Sequence, residues 1–226
     1  MKIHILSIAL LIAALSMSVQ PAAATSIDTT GSYLSDIAAI GSSYSGTYGQ
    51  TFTVSGPDTQ LDSFSFYLRD IPHLGSGTLD FRGYIASWDS GNFRASSILF
   101  ESATQTMTSA DTLKEFDFSP GGLDLATAQQ YVAFLSISNL PLQAANSGFA
   151  MPLASGSALS GGEFVFLNNP TDFSALTSST WFSYTPADAW FKASLSAPRA
   201  VPEPSSLLLL GAGLLCLVAW RRKHVA

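Results

Sequence analysis

The chain has 226 residues, of which 47% are hydrophobic and only 12% charged, with a net charge of −6. So acidic and charge-poor a surface repels phosphate backbones, which excludes nucleic acid as a partner. A single cysteine, Cys216, and three histidines exclude a disulfide framework and a transition-metal site built from clustered His or Cys.

The N-terminus carries one positive charge at Lys2, an almost unbroken apolar run over 5–15, and the small residues Ala22, Ala23 and Ala24. This order describes a secretory signal peptide over 1–24, cut by signal peptidase after Ala24. Residues 25–199 then form one exterior domain, large enough for a real core. It holds 6 Lys and Arg against 15 Asp and Glu, a net charge of −9, and no cysteine. Its stability must come from burial and hydrogen bonding alone.

Residues 25–49 are rich in Ser, Gly, Thr and Tyr, and 42–48 read as a loop or an irregular edge segment. Residues 50–54 alternate as a first clear strand, and 55–58 turn the chain. Over 61–68 the alternation points Phe64, Phe66 and Leu68 at the core, with Leu61, Ser63, Ser65 and Tyr67 opposite. The next strand, 78–88, opposes Leu79, Phe81, Gly83 and Ile85 to Asp80, Arg82, Tyr84, Ala86 and Trp88. Further strands are read at 97–102, 113–118, 131–137, 149–153, 164–167 and 189–195, with one helical turn or a loop at 123–130. Short strands punctuated by Gly and Pro turns, with no convincing amphipathic helix, predict an all-β, jelly-roll-like β-sandwich.

Chemistry is sparse. The domain's one histidine, His73, follows Ile71 and Pro72 in a turn without a Gly-x-Ser-x-Gly elbow, so a Ser–His–Asp unit has no support. Calcium needs only oxygen ligands, and Asp58, Asp62, Asp70, Asp111, Glu115, Asp117 and Asp124 are candidates without an organising motif. No cofactor is called for, and no metal site is assigned. Glycan hydrolysis would need two spaced carboxylates; Glu101, Glu115 and Glu163 are the domain's glutamates, and nothing singles out a pair. Sugars pack their C–H faces on aromatic rings. Candidates for a glycan face are Tyr84, Trp88, Trp181 and Trp190, with Tyr67; Tyr84 and Trp88 share a strand face by parity. For most of these rings the core is the stronger expectation.

The tail, 200–226, is the most specific feature. Val201, Pro202, Glu203 and Pro204 precede Ser205 and Ser206, an apolar run to Trp220, and Arg221, Arg222 and Lys223. The prolines bar an upstream helix, so a transmembrane helix is expected from about Ser205 to Trp220. The basic cluster holds its end in the cytoplasm and leaves the β domain outside, in agreement with the signal peptide. The Pro-Glu-Pro motif, the Leu-rich stretch with Gly211 and Gly213, and the terminal basic cluster resemble a PEP-CTERM sorting signal. The resemblance implies processing by an exosortase, insertion in the inner membrane of a Gram-negative bacterium before sorting, and delivery to the cell surface or exterior. It also implies an association with bacteria that make extracellular polysaccharide.

Four segments further resemble exterior domains of PEP-CTERM proteins: Gln50-Thr51-Phe52-Thr53, Phe64-Ser65-Phe66-Tyr67-Leu68, Tyr84-Ile85-Ala86-Ser87-Trp88 and Gln130-Tyr131-Val132-Ala133-Phe134. They imply a jelly roll like that of carbohydrate-binding modules, with no defined ligand. The function expected is that of a non-enzymatic surface or biofilm-matrix protein in contact with exopolysaccharide. A glycan-active enzyme using carboxylates and a structural or adhesive module are the alternatives.

Overall fold

A computed structural model describes residues 24–71, 77–109, 112–144, 147–156, 158–184 and 186–198, together with Gly211 and Trp220. The described domain is all-β. Fifteen strands form two large sheets and one small one. The first sheet runs β1 (Thr25–Asp28), β15 (Phe191–Ser196), β4 (Gln60–Leu68), β8 (Lys114–Phe118), with β9 (Leu123–Asp124) also on β4. In the second sheet the order is β13 (Phe182–Ser183), β12 (Phe164–Leu167), β3 (Thr47–Thr53), β10 (Gln130–Ser136), β5 (Thr78–Asp89), β6 (Arg94–Glu101). There, β7 (Gln105–Thr108) adds to the far end of β5. The third sheet is β14 (Ala187–Ala189), β11 (Gly148–Ser155), β2 (Tyr33–Gly41). Every pairing within the three sheets is antiparallel.

Alternation explains which side chains meet between the sheets. β4 sends Phe64, Phe66 and Leu68 inward, β15 sends Phe191, Ala193 and Leu195, and β8 sends Phe116 and Phe118. These pack against Phe52 of β3, Leu79, Phe81 and Ile85 of β5, and Tyr131, Ala133 and Leu135 of β10. Leu61 joins them despite its opposite parity. Across the β4–β15 pair Ser63 faces Ser194 while Leu61 faces Leu195. Asp62 is therefore an extra residue, a β-bulge that turns Leu61 to the core side. Gly83 leaves room for the facing sheet: a Cβ there would lie 2.6 Å from the Phe118 ring.

At its centre the second sheet is buried on both faces: β10 and β12 read as nearly continuous apolar runs, while β5 keeps its two-sided alternation. Its outer face carries Tyr84, Ala86 and Trp88 from β5, Val132 and Phe134 from β10, and Val165 and Leu167 from β12. The chain after β12 covers them with the single helical turn α1 (Ala175–Ser178), then Trp181. A buried polar link ties the second and third sheets. Gln50 Nε2 donates to Asp188 Oδ1 at 2.6 Å, and the Ala189 amide donates to Gln50 Oε1 at 2.7 Å.

Two expectations are refined. The loop expected over 42–48 is the turn between β2 and β3, with Thr47 and Tyr48 already in β3, and the residues before it hold β1 and β2. The segment 123–130 is β9 followed by a turn in which Ala128 has a φ of 62°. Among the described residues no helix is long and apolar enough to cross a membrane. The transmembrane segment expected from Ser205 to Trp220 lies outside the described residues except for Gly211 and Trp220, both helical. The signal peptide, apart from Ala24, also lies outside them, as do His73, Asp111 and the sorting-motif residues Val201, Pro202, Glu203, Pro204, Arg221, Arg222 and Lys223.

Candidate functional site

The aromatic candidates separate sharply. Tyr84, Trp88 and Trp181 are 0%, 4% and 2% exposed. Tyr84 stacks on Phe134 with 5.0 Å between ring centroids, and Trp181 meets Trp88 and Phe134 edge-on at 5.5 and 5.4 Å. The Trp181 indole N–H donates to the Leu176 carbonyl at 2.9 Å, which satisfies its one donor. These three rings are the second core. Covered by the 168–181 segment, they offer no face to a sugar, and the expected glycan contacts on them are corrected accordingly.

Trp190 is different. It sits where the chain leaves β14 in the third sheet and enters β15 in the first. Its amide donates to the Pro152 carbonyl at 2.8 Å, and its ring is half-buried. Tyr33 and Tyr67 meet that ring edge-on at 5.9 and 5.7 Å. Tyr33, at the start of β2, is 49% exposed. Its hydroxyl donates to Asp36 Oδ2 at 2.9 Å, and the Arg69 guanidinium lies over its ring at 5.2 Å. Arg69 Nη1 also pairs with Asp36 Oδ2 at 3.2 Å. The hydrogen bond to Asp36 is the main cause holding the Tyr33 phenol above its ordinary value. Two buried polar atoms of this cluster, Trp190 Nε1 and Asp36 Oδ1, have no hydrogen-bond partner.

The outward face of the first sheet continues from this cluster. With the apolar residues of β4, β15 and β8 turned in, Ser63, Ser65 and Tyr67, Lys192 and Ser194, and Glu115 and Asp117 occupy the opposite face, where Ser65 is itself buried by its neighbours. Register places Ser65 beside both Lys192 and Asp117, and Tyr67 beside Glu115. All of these except Tyr67 line a shallow cleft of about 200 Å³. Lys192 Nζ lies 5.1 Å above the Tyr67 ring, donates to its hydroxyl, and pairs with Glu115 at 3.0 Å. Burial raises the Glu115 carboxyl, but hydrogen bonds from Tyr67, Lys192 and Ser65 outweigh it and hold it below its ordinary value. The result is a polar strip, rich in hydroxyls and crossed by the Lys192–Glu115 ion pair, that ends in three aromatic rings.

Two of the three glutamates considered for hydrolysis are engaged in ion pairs: Glu101 with Arg82, and Glu115 with Lys192. Among the described residues no group of three or more His, Cys, Asp or Glu is placed to hold a metal. Several of the acidic residues considered for calcium have other partners. Asp58 accepts from Thr25, and Asp124 from Gln60.

The tail matches the family model of the PEP-CTERM protein-sorting motif over residues 200–223. The chain is therefore an exported protein with a membrane-anchored C-terminal motif and a substrate for exosortase processing. No curated protein matches the sequence. Among solved structures, the fold is similar to that of the cysteine protease and lectin-like domains of Cwp84, a surface-layer-associated protein of Clostridium difficile. The TM-score is 0.50 at 14% identity, over 77% of this chain and 36% of that one. A second structure, a clostridial Cwp84 cysteine protease after propeptide cleavage, aligns with a TM-score of 0.47 at 13% identity, over 77% of this chain and 40% of that one. The chain thus spans little more than a third of the length of the proteins it resembles.

Proposed function

We propose that the β domain is a non-enzymatic, jelly-roll-like module of the cell surface or extracellular matrix that holds extracellular polysaccharide. The ligand lies along the outward face of the first sheet, its sugar rings packed against Trp190, Tyr33 and Tyr67. One observation carries this reading: Trp190, Tyr33 and Tyr67 form an accessible aromatic cluster at the end of a hydroxyl-rich strip. Two buried polar atoms there, a donor on Trp190 and an acceptor on Asp36, have no protein partner. Sorting by exosortase supports an exterior working place, and the lectin-like domains named for the similar surface-layer protein support a glycan ligand.

The test is affinity electrophoresis of the exported protein through gels cast with the producing strain's exopolysaccharide. Trp190→Ala should weaken retention about tenfold, the loss of roughly 1.4 kcal/mol of ring contact. Equal retention of Trp190→Ala and wild type, with unchanged near-UV circular dichroism, would overturn the reading. Trp181→Phe is the control: it alters the second core, and retention should follow only the folded fraction.

A further inference from the structure

Asp58 is an unusual carboxylate. It lies in the connection between β3 and β4 and is only 5% exposed. Its Oδ2 accepts twice from one residue, from the Thr25 amide at 3.0 Å and the Thr25 hydroxyl at 2.6 Å. Its Oδ1 is buried without a partner. Among the described residues it makes no ion pair with Lys, Arg or His. A buried carboxylate in this state is costly unless a cation reaches it.

Thr25 is the residue that follows the expected signal-peptidase cut. Ala24 is exposed and Thr25 half-buried, with Thr25 already held as the first residue of β1 opposite Leu195. We propose that export itself supplies the missing cation: cleavage between Ala24 and Thr25 creates an α-ammonium on Thr25 that pairs with Asp58. The proposal rests on reading residues 1–24 as a signal peptide. Hydrolysis adds water across the Ala24–Thr25 amide, leaving the carboxylate on Ala24 and the amine on Thr25. An ordinary α-amine, with a pKa near about 8, takes up a proton at neutral pH. One amide N–H becomes three ammonium N–H donors at the same place. The nitrogen that already touches Oδ2 gains the hydrogens and the charge to engage Oδ1. The processed chain would thereby lock β1, the edge strand of the first sheet, in a way the precursor cannot.

The experiment uses the full chain, expressed with its own leader and tail, and the processed protein recovered from the host. Mass spectrometry of the N-terminal peptide reads the cleavage site. The rate at which a limiting amine-reactive ester acylates the Thr25 amine at pH 7 reads the ion pair. In the native protein this rate should be at least about tenfold slower than in the same protein in urea, since one unit of raised pKa removes nine-tenths of the free amine. Asp58→Asn should restore fast acylation and lower Tm by about 5–10 °C. An N-terminus well away from Thr25 overturns the cleavage reading and the ion pair with it. An N-terminus at Thr25 whose amine reacts equally fast folded and in urea overturns the ion pair alone. That comparison needs no variant and survives if Asp58→Asn fails to fold.

Discussion

The Tyr33 hydroxyl donates to Asp36 Oδ2 at 2.9 Å, although the two residues are three apart in one strand and an unbroken strand would turn them to opposite faces. The register explains it. Opposite β11, Tyr33 faces Ala154 while Ser35 faces Leu153, so Leu34 is an extra, bulged residue. The bulge returns Tyr33 to the side of Asp36 and leaves Leu34 exposed. One inserted residue thus builds the aromatic cluster beside Trp190.

That hydrogen bond predicts a titration. The Tyr33 phenol should titrate above its ordinary value of 10, chiefly because its proton is shared with Asp36. In Asp36→Asn the negative acceptor is gone and the phenol should move back toward 10. Site-resolved NMR titration of the Tyr33 ring carbon checks this; an identical titration in both proteins would show that the pair does not form in solution.

Processing gives a second prediction. In a host with an exosortase, wild type should lose its basic end, Arg221, Arg222 and Lys223, by cleavage near Pro-Glu-Pro. The triple variant Pro202→Ala/Glu203→Ala/Pro204→Ala should keep it. Mass spectrometry of the mature C-terminus decides between them. A variant processed like wild type would mean that recognition does not run through those three residues.

The contact between the two large sheets predicts a third result. Gly83→Ala places a methyl group 2.6 Å from the Phe118 ring, in a core where that ring also stacks on Phe64 with centroids 4.9 Å apart. The overpacking should cost about 1–3 kcal/mol. Phe118→Leu should cost less on the Gly83→Ala background than on wild type, because the two changes share one volume. Urea denaturation of the four proteins gives the coupling, and strict additivity would contradict the packing.

A fourth prediction concerns acid. Burial raises the Asp188 carboxyl above its ordinary 3.8, against hydrogen bonds from Leu159 and Gln50 that lower it. A raised folded value means that the native state binds the proton more tightly than the unfolded chain. The favourable contribution is therefore complete below 3.8 and is lost as pH rises through the folded value. Asp188→Asn should remove this falling segment from the curve of stability against pH. It should also cost about 1–3 kcal/mol, because Gln50 Nε2 and the Leu159 amide donate to its two oxygens and an amide nitrogen can accept from neither. A curve of unchanged shape would mean that Asp188 does not titrate differently in the two states.

Much of the architecture was legible because alternation is a local property. The inward set of β4 and the two-sided division of β5 follow from side-chain period, and β10 and β12 from short apolar runs. The outward row Ser63, Ser65 and Tyr67 was equally legible. β1 and β2 were not, because Ser, Thr, Gly and Tyr carry turn signals that sheet pairing overrides. Neither were the bulges at Asp62 and Leu34, since a bulge is a relation between strands and leaves no mark within one.

The rings show the same boundary. That Tyr84 and Trp88 point away from the main core follows from their parity in β5. Whether that side meets water or protein depends on where residues 168–181 return, and they return over it. Trp181 and Trp190, nine residues apart, are alike as residues and opposite in fate for the same reason. The sequence by itself determined the sorting tail, the all-β class and the faces of the main strands, because a signal read by an enzyme and side-chain periodicity are both local. The register shifts, the second core and the meeting of Tyr33, Tyr67 and Trp190 were decided only by tertiary structure, which joins residues more than a hundred positions apart.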